Sequence, residues 1–175
     1  MVEGEELLLA VLNSAPVIDG TPTDALERPD EASRWLRALG GLGTAAEREA
    51  VRAVRDTLHR LIRGATTDLD ALDAVLRQTC SRPTATNEGV QWQLEAAPDQ
   101  KLAARVVLAW STVREELPGR LRPCANEACN LFLVDHSRPG TARWCSMATC
   151  GNRIKARNHA RRQRTGAPVL PADPS

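Results

Sequence analysis

A chain of 175 residues has room for one medium-sized domain and a small appended module. Its net charge of +1 hides a division: residues 1–119 hold 13 Lys/Arg against 19 Asp/Glu, a balance of −6, whereas residues 120–164 hold 10 against 2, a balance of +8. Such a split argues for a polyanion-binding end on an acidic body. The apolar run at residues 7–12 is too short to cross a bilayer, which excludes a membrane-spanning role.

Residues 5–13 are expected to form a short buried helix, with a strand as the alternative for so short an apolar run. Residues 14–23 hold two prolines and a glycine and are expected to be a loop. Asp30 is a candidate N-cap for a helix over 31–39, where Trp35, Leu36 and Leu39 share a face, and Gly40, Gly41 and Gly43 end it. Thr44 then caps a long helix to residue 63. Val51, Val54, Leu58, Leu61 and Ile62 recur on it at helical spacing, with Arg48, Arg52, Arg55, Glu49 and Asp56 largely opposite. Gly64 is its stop.

A further helix starts at Asp68 or Thr67, carries Leu69, Leu72, Val75 and Leu76 on one face, and is closed by Pro83. Residues 89–95 (GVQWQLE) alternate as a half-buried strand does. Pro98 opens a helix to residue 117 that buries Leu102, Val106, Leu108 or Ala109, and Val113. Pro118 and Gly119 form a hinge. The expected body is therefore mainly α, with a small β-ribbon. Trp35, Trp92 and Trp110 are assigned to its core, the alternative being a pocket for a small-molecule effector. Cys80 is expected to be a small helical core residue. The chain shows no internal repeat, and its proline-rich end, residues 165–175, is expected to be disordered.

The last third carries the chemistry. Cys124, Cys129, Cys145 and Cys150 form two C-x4-C pairs separated by fifteen residues. Two such pairs can converge on one tetrahedral zinc ion, which takes four thiolates at about 2.3 Å. The alternatives are two disulfides or four unliganded thiols. Disulfides require an oxidising compartment. The acidic N-terminus, with Glu3, Glu5 and Glu6, carries no secretory pattern, so a cytoplasmic location is expected. Four protein ligands close the coordination sphere, so the site is structural. With four thiolates and one Zn²⁺ the module would carry about +6.

Between the pairs, residues 131–134 fit a short buried strand, residues 135–140 (DHSRPG) a turn, and residues 141–144 a return strand. Ser146 is a candidate N-cap for a helix from 147 to 164, with Cys150 in its first turn. Knuckle, hairpin and ligands at a helix start make a treble-clef-like finger. Arg153, Arg157, Arg161 and Arg164 fall on one stripe of that helix, and Lys155, His159 and Arg162 on another. Asn152, Asn158 and Gln163 add groups able to read base edges.

The run WCSMATCGNRIKAR, preceded by RPCANEAC, resembles the CGNR zinc finger, named for Cys150, Gly151, Asn152 and Arg153. In that family the finger follows a helical ABATE domain, and members are described as bacterial stress-induced transcription regulators. Residues 7–14 (LLLAVLNS) resemble the start of that domain, with Ala10 where an acidic residue is expected. The resemblance implies zinc on the four cysteines and a nucleic-acid role for the basic helix. It also implies a helical ABATE-like domain over 1–117, followed by the finger over 118–164.

The expected function is that of a zinc-binding transcription regulator. Its contact residues with duplex DNA are Asn152, Arg153, Lys155, Arg157, Asn158, Arg161, Arg162 and Arg164. The near absence of Phe and Tyr disfavours a stacking platform for single strands. Docking of the basic helix on the chain's own acidic body, RNA, or an acidic protein partner docking on the finger are the competing readings, and a homodimer is compatible with each. No catalytic set is visible. The three histidines are scattered, there is no phosphate-cradling loop, and the consecutive Asp135, His136 and Ser137 are better explained as turn-formers than as a relay.

Overall fold

A computed structural model describes residues 2–18, 20–152 and 155 of the chain. Among these residues the α-helices are α1 (Glu5–Leu12), α2 (Pro29–Ala38), α3 (Ala45–Ile62), α4 (Asp70–Leu76) and α5 (Lys101–Glu116), the last preceded by a 3-10 turn over Pro98–Gln100. Three two-stranded antiparallel ribbons join them: β1 (Val17–Ile18) with β2 (Thr21–Pro22), β3 (Cys80–Thr86) with β4 (Gly89–Glu95), and β5 (Leu121–Pro123) with β6 (Phe132–Val134). The fold is mainly α with small sheets, as expected.

The long helix α3 is the centre of the body. The Thr44 hydroxyl accepts from the Glu47 amide at 3.1 Å, and the Glu47 carboxylate accepts in return from the Gly43 and Leu42 amides at 2.7 and 3.1 Å. This reciprocal cap satisfies donors that a helix start otherwise leaves unpaired. It also explains a carboxylate that is only 1% exposed. Val51, Val54 and Leu58 then face α1 and α5, which supply Leu8, Val11, Leu12, Leu102, Val106 and Val113. Each such side chain contributes about 1.5–3 kcal/mol by leaving water. Of the pair left open at 108–109, Ala109 is buried and Leu108 is exposed. Trp35 and Trp110 pack half-buried against this core.

Several expectations fail for identifiable reasons. Arg55, placed on the solvent side by periodicity, is 4% exposed. The loop before α2 folds over it, so that Asp24 receives its guanidinium through two bonds of 2.7 and 3.0 Å, and Ser14 takes a third at 3.0 Å. Helix α2 begins at Pro29 rather than beyond Asp30, because proline suits a first helical turn. Helix α4 begins at Asp70, leaving Leu69 exposed, and ends at Leu76. Pro83 closes no helix and lies within β3 opposite Trp92, where an edge strand tolerates its missing donor.

Cys80 is consequently an exposed strand residue rather than a helical core residue. The β3–β4 ribbon reaches past the helices, so its alternation does not yield a buried face: Val90 and Trp92 are 62% and 68% exposed, and Leu94 alone of the three packs on the core. Trp92 is therefore not a core residue. With Leu94, Leu7 and Arg105 it borders an open groove of about 430 Å³ against α1 and α5.

The hairpin of the last third also differs. Residues 141–144 form no strand. The partner of β6 is β5, on the other side of the first cysteine pair, with Pro123 opposite Phe132 and Leu121 opposite Val134. Phe132 is 1% exposed and belongs to the same apolar core as α1, α3 and α5.

Candidate metal centre

Each cysteine is delivered by a different piece of local structure. Cys124 follows β5, its amide donating to the Leu131 carbonyl at 2.8 Å. Cys129 closes a tight turn, donating its amide to the Asn126 carbonyl at 2.8 Å. Cys145 ends the loop after β6, which is held to the first turn by the Ala125 amide on the Arg143 carbonyl at 2.8 Å. Cys150 sits in a widened helical turn over Met147–Gly151. There the Ser146 carbonyl accepts from both the Cys150 and Gly151 amides at 3.0 Å. The expected helix start at Ser146 is thus borne out in place, though its first turn is wider than an α-turn.

The four sulfurs converge. All lie within 4.8 Å of one another, and Cys145 Sγ is 3.7 Å from both Cys129 Sγ and Cys150 Sγ. A tetrahedral ion bound at about 2.3 Å requires sulfurs about 3.8 Å apart, so the cage has the size of a four-thiolate metal site. Cys124 and Cys150 are buried, and Cys129 and Cys145 half-buried.

Crowding sets the acidity of these groups. Burial, together with the neighbouring thiols, pushes Cys145 well above the ordinary thiol range, and burial pushes Cys129 up as well. Burial also opposes ionisation of Cys150, but bonds from Asn126 and the adjacent thiols outweigh it and bring that thiol below its ordinary value. A divalent cation in the cage inverts this balance and makes all four thiolates.

Asn126 is a site residue that sequence reasoning missed. It is 4% exposed, donates Nδ2 to Cys150 Sγ at 3.4 Å, and accepts from the Ala128 amide at 3.3 Å. The Cys145 amide likewise donates to Cys124 Sγ at 3.5 Å. Such donors orient metal thiolates. The available signal was an amide side chain inside the C-x4-C turn.

The loop between β6 and Cys145 is built around Asp135. Its carboxylate accepts from the Ser137 amide and hydroxyl at 2.8 and 2.6 Å, from the Ala142 amide at 3.0 Å, and from Arg122 at 2.6 Å. The Ser137 hydroxyl first, with the backbone amides and Arg122, holds Asp135 below the usual carboxylate range. Arg120 donates to the Ser137 carbonyl at 2.7 Å and Arg122 to the Gly140 carbonyl at 2.8 Å. Gly140 has φ +68°, a left-handed conformation that favours glycine, and the Arg120 guanidinium lies over it. The turn reading of Asp135 and Ser137 holds. His136 points elsewhere, its Nε2 lying 2.7 Å from Glu5 Oε1 on α1.

Further contacts lock the centre to the body. Asn13, at the end of α1, accepts from the Phe132 amide at 2.8 Å and donates to the Phe132 carbonyl at 3.2 Å. Asn130 reciprocates by accepting from the Val17 amide at 3.1 Å and donating to the Ala15 carbonyl. Arg63 stands 4.2 Å over the Phe132 ring and donates to the Asn130 carbonyl at 2.7 Å, while His59 lies against the same ring at 4.6 Å.

Of the expected nucleic-acid residues, Asn152 and Lys155 are helical and exposed. Arg153, Arg157, Asn158, Arg161, Arg162 and Arg164, like residues 165–175, lie outside the described residues. No described helix is long and apolar enough to cross a membrane.

A four-thiol cage on a small hairpin, strapped to a helical body, defines a metal-binding finger protein. Residues 120–163 match the CGNR zinc finger family, and residues 5–134 match the ABATE family, described as "putative stress-induced transcription regulator". The second match spans well over half of the chain, which belongs to the ABATE family and carries a CGNR finger at its C-terminal side. No curated protein gives a significant match.

Proposed function

We propose that the protein is a cytoplasmic DNA-binding transcription regulator in which Cys124, Cys129, Cys145 and Cys150 hold a structural zinc ion. The observation that carries this reading is the closed four-sulfur cage immediately before a segment of one charge sign. Zinc suits four thiolates with no open position and supplies the folding energy that so small a finger lacks. The module is treble-clef-like in function: the metal pins a short hairpin to the start of the basic segment. The residues in that segment that meet duplex DNA are Asn152, Arg153, Lys155, Arg157, Asn158, Arg161, Arg162 and Arg164. The protein acts by binding and not by catalysis, and the helical body is where an effector or a second copy would be received.

The test is fluorescence anisotropy of the metal-loaded protein on random duplex DNA at several salt concentrations. Micromolar binding that weakens steeply with salt is expected, because each phosphate contact releases a counterion. Absence of binding at low salt, with zinc bound at one per chain, refutes the DNA reading and favours an acidic protein partner. Preference for RNA over duplex of the same length corrects the substrate.

A further inference from the structure

The described part of the finger holds four arginines outside the basic segment, and they divide by what they touch. Arg120 and Arg122 point inward. Their guanidinium groups are engaged by Asp135 and by the Ser137 and Gly140 carbonyls. Arg138 and Arg143 are exposed, and among the described residues neither meets a carboxylate. The only acids in residues 120–164 are Asp135, buried and already shared by two arginines, and Glu127. Among the described residues, the loop therefore presents two cations with no carboxylate partner.

Their backbones are held in place. The Arg138 backbone lies between Ser137, which is tied to Asp135 and Arg120, and Gly140, which is tied to Ser137 and Arg122. Arg143 has its carbonyl fixed by the Ala125 amide, and its guanidinium lies 5.4 Å over the Trp144 ring. An indole face orients a guanidinium and leaves its N–H groups free to fork onto an anion. The Trp144 ring in turn stands close to Gly151, at the start of the basic segment: a Cβ on Gly151 would lie 3.3 Å from it. The loop and the helix start thus share one edge of the finger.

We infer that Arg138 and Arg143 form a second phosphate-binding edge, which grips the backbone of duplex DNA beside the groove entered by the segment that follows Gly151. This inference rests on the DNA reading above. Both side chains are point contacts to phosphodiester oxygens and carry no sequence preference.

The experiment compares the full metal-loaded chain with Arg138→Gln/Arg143→Gln and Arg138→Lys/Arg143→Lys on random duplex DNA between 50 and 200 mM salt. Two lost phosphate contacts lower the slope of log affinity against log salt by about 1.8, so that across this fourfold range the glutamine variant loses roughly tenfold less affinity than the wild type. The lysine variant keeps the wild-type slope. Zinc content and melting temperature, measured alongside, remain those of the wild type. A glutamine variant with the wild-type slope overturns the inference while leaving the DNA reading in place. So does one whose affinity falls at unchanged slope, which marks a structural role. A wild type that fails to bind overturns both.

Discussion

Asn13→Ala tests whether the metal centre is mechanically part of the body. The Asn13 amide mimics one residue of a strand, pairing with both the N–H and the C=O of Phe132 at 2.8 and 3.2 Å. Phe132 is 1% exposed, so truncation leaves two backbone groups in a place that water reaches poorly. An unsatisfied buried group costs about 1–3 kcal/mol, and a net hydrogen bond contributes about 1 kcal/mol. The methyl side chain left behind admits a water to one of the two groups, which sets the expected loss at about 2–3 kcal/mol. Asn13→Asp retains the acceptor for the Phe132 amide and loses the donor, so it falls between the wild type and the alanine variant. Urea unfolding of the metal-loaded protein, followed by tryptophan fluorescence, measures this. An alanine variant within about 0.5 kcal/mol of wild type, the usual range for a surface change, refutes the strap.

Two further outcomes follow from individual residues. Burial, only partly offset by the Leu12 carbonyl at 2.7 Å, lowers the pKa of His59 below its ordinary value. The unfolded chain therefore takes up the proton first, near pH 6.5, and the stability contributed by neutral His59 is present above that pH and lost as pH falls toward the folded value. The difference in urea midpoint between wild type and His59→Gln, measured from pH 8 to 5.5, is expected to narrow on acidification; a constant difference refutes this. Gly43 has φ +76°, and a Cβ there would lie 2.6 Å from the Ser33 carbonyl oxygen, whereas Gly64 has φ +70° with open space around it. Gly64→Ala is expected to cost about 1–2 kcal/mol for the left-handed conformation alone, and Gly43→Ala visibly more by thermal melting. Equal losses would show that the Ser33 contact carries no energy.

The body's helices were legible because α3 and α5 repeat their apolar residues over many turns, and because Thr44 is a capping residue. The full box was written in the sequence as Thr44-x-x-Glu47, yet only its first half was read. Arg55 was misplaced because helical periodicity reports one face of one helix, and the cover of its opposite face, the segment carrying Asp24, comes from elsewhere in the chain. Cys80 was misplaced because the helix expected to run to Pro83 stops at Leu76, and Trp92 for the converse reason. Alternation along β4 states which residues share a face but not whether anything packs on it.

At the candidate metal centre the four cysteines of the cage were legible by type and spacing alone, since few arrangements other than a shared ion put four thiols in two even pairs. The basic character of the segment after Gly151 was likewise determined by composition. Tertiary structure decided the rest: β5 rather than residues 141–144 pairs with β6, Asn126 donates to the Cys150 sulfur, and Asn13 joins α1 to Phe132 across more than a hundred residues. Local pattern encodes chemistry that neighbours in sequence perform together. Which arginines turn inward to Asp135 and which face outward depends on partners that only the folded chain brings within reach.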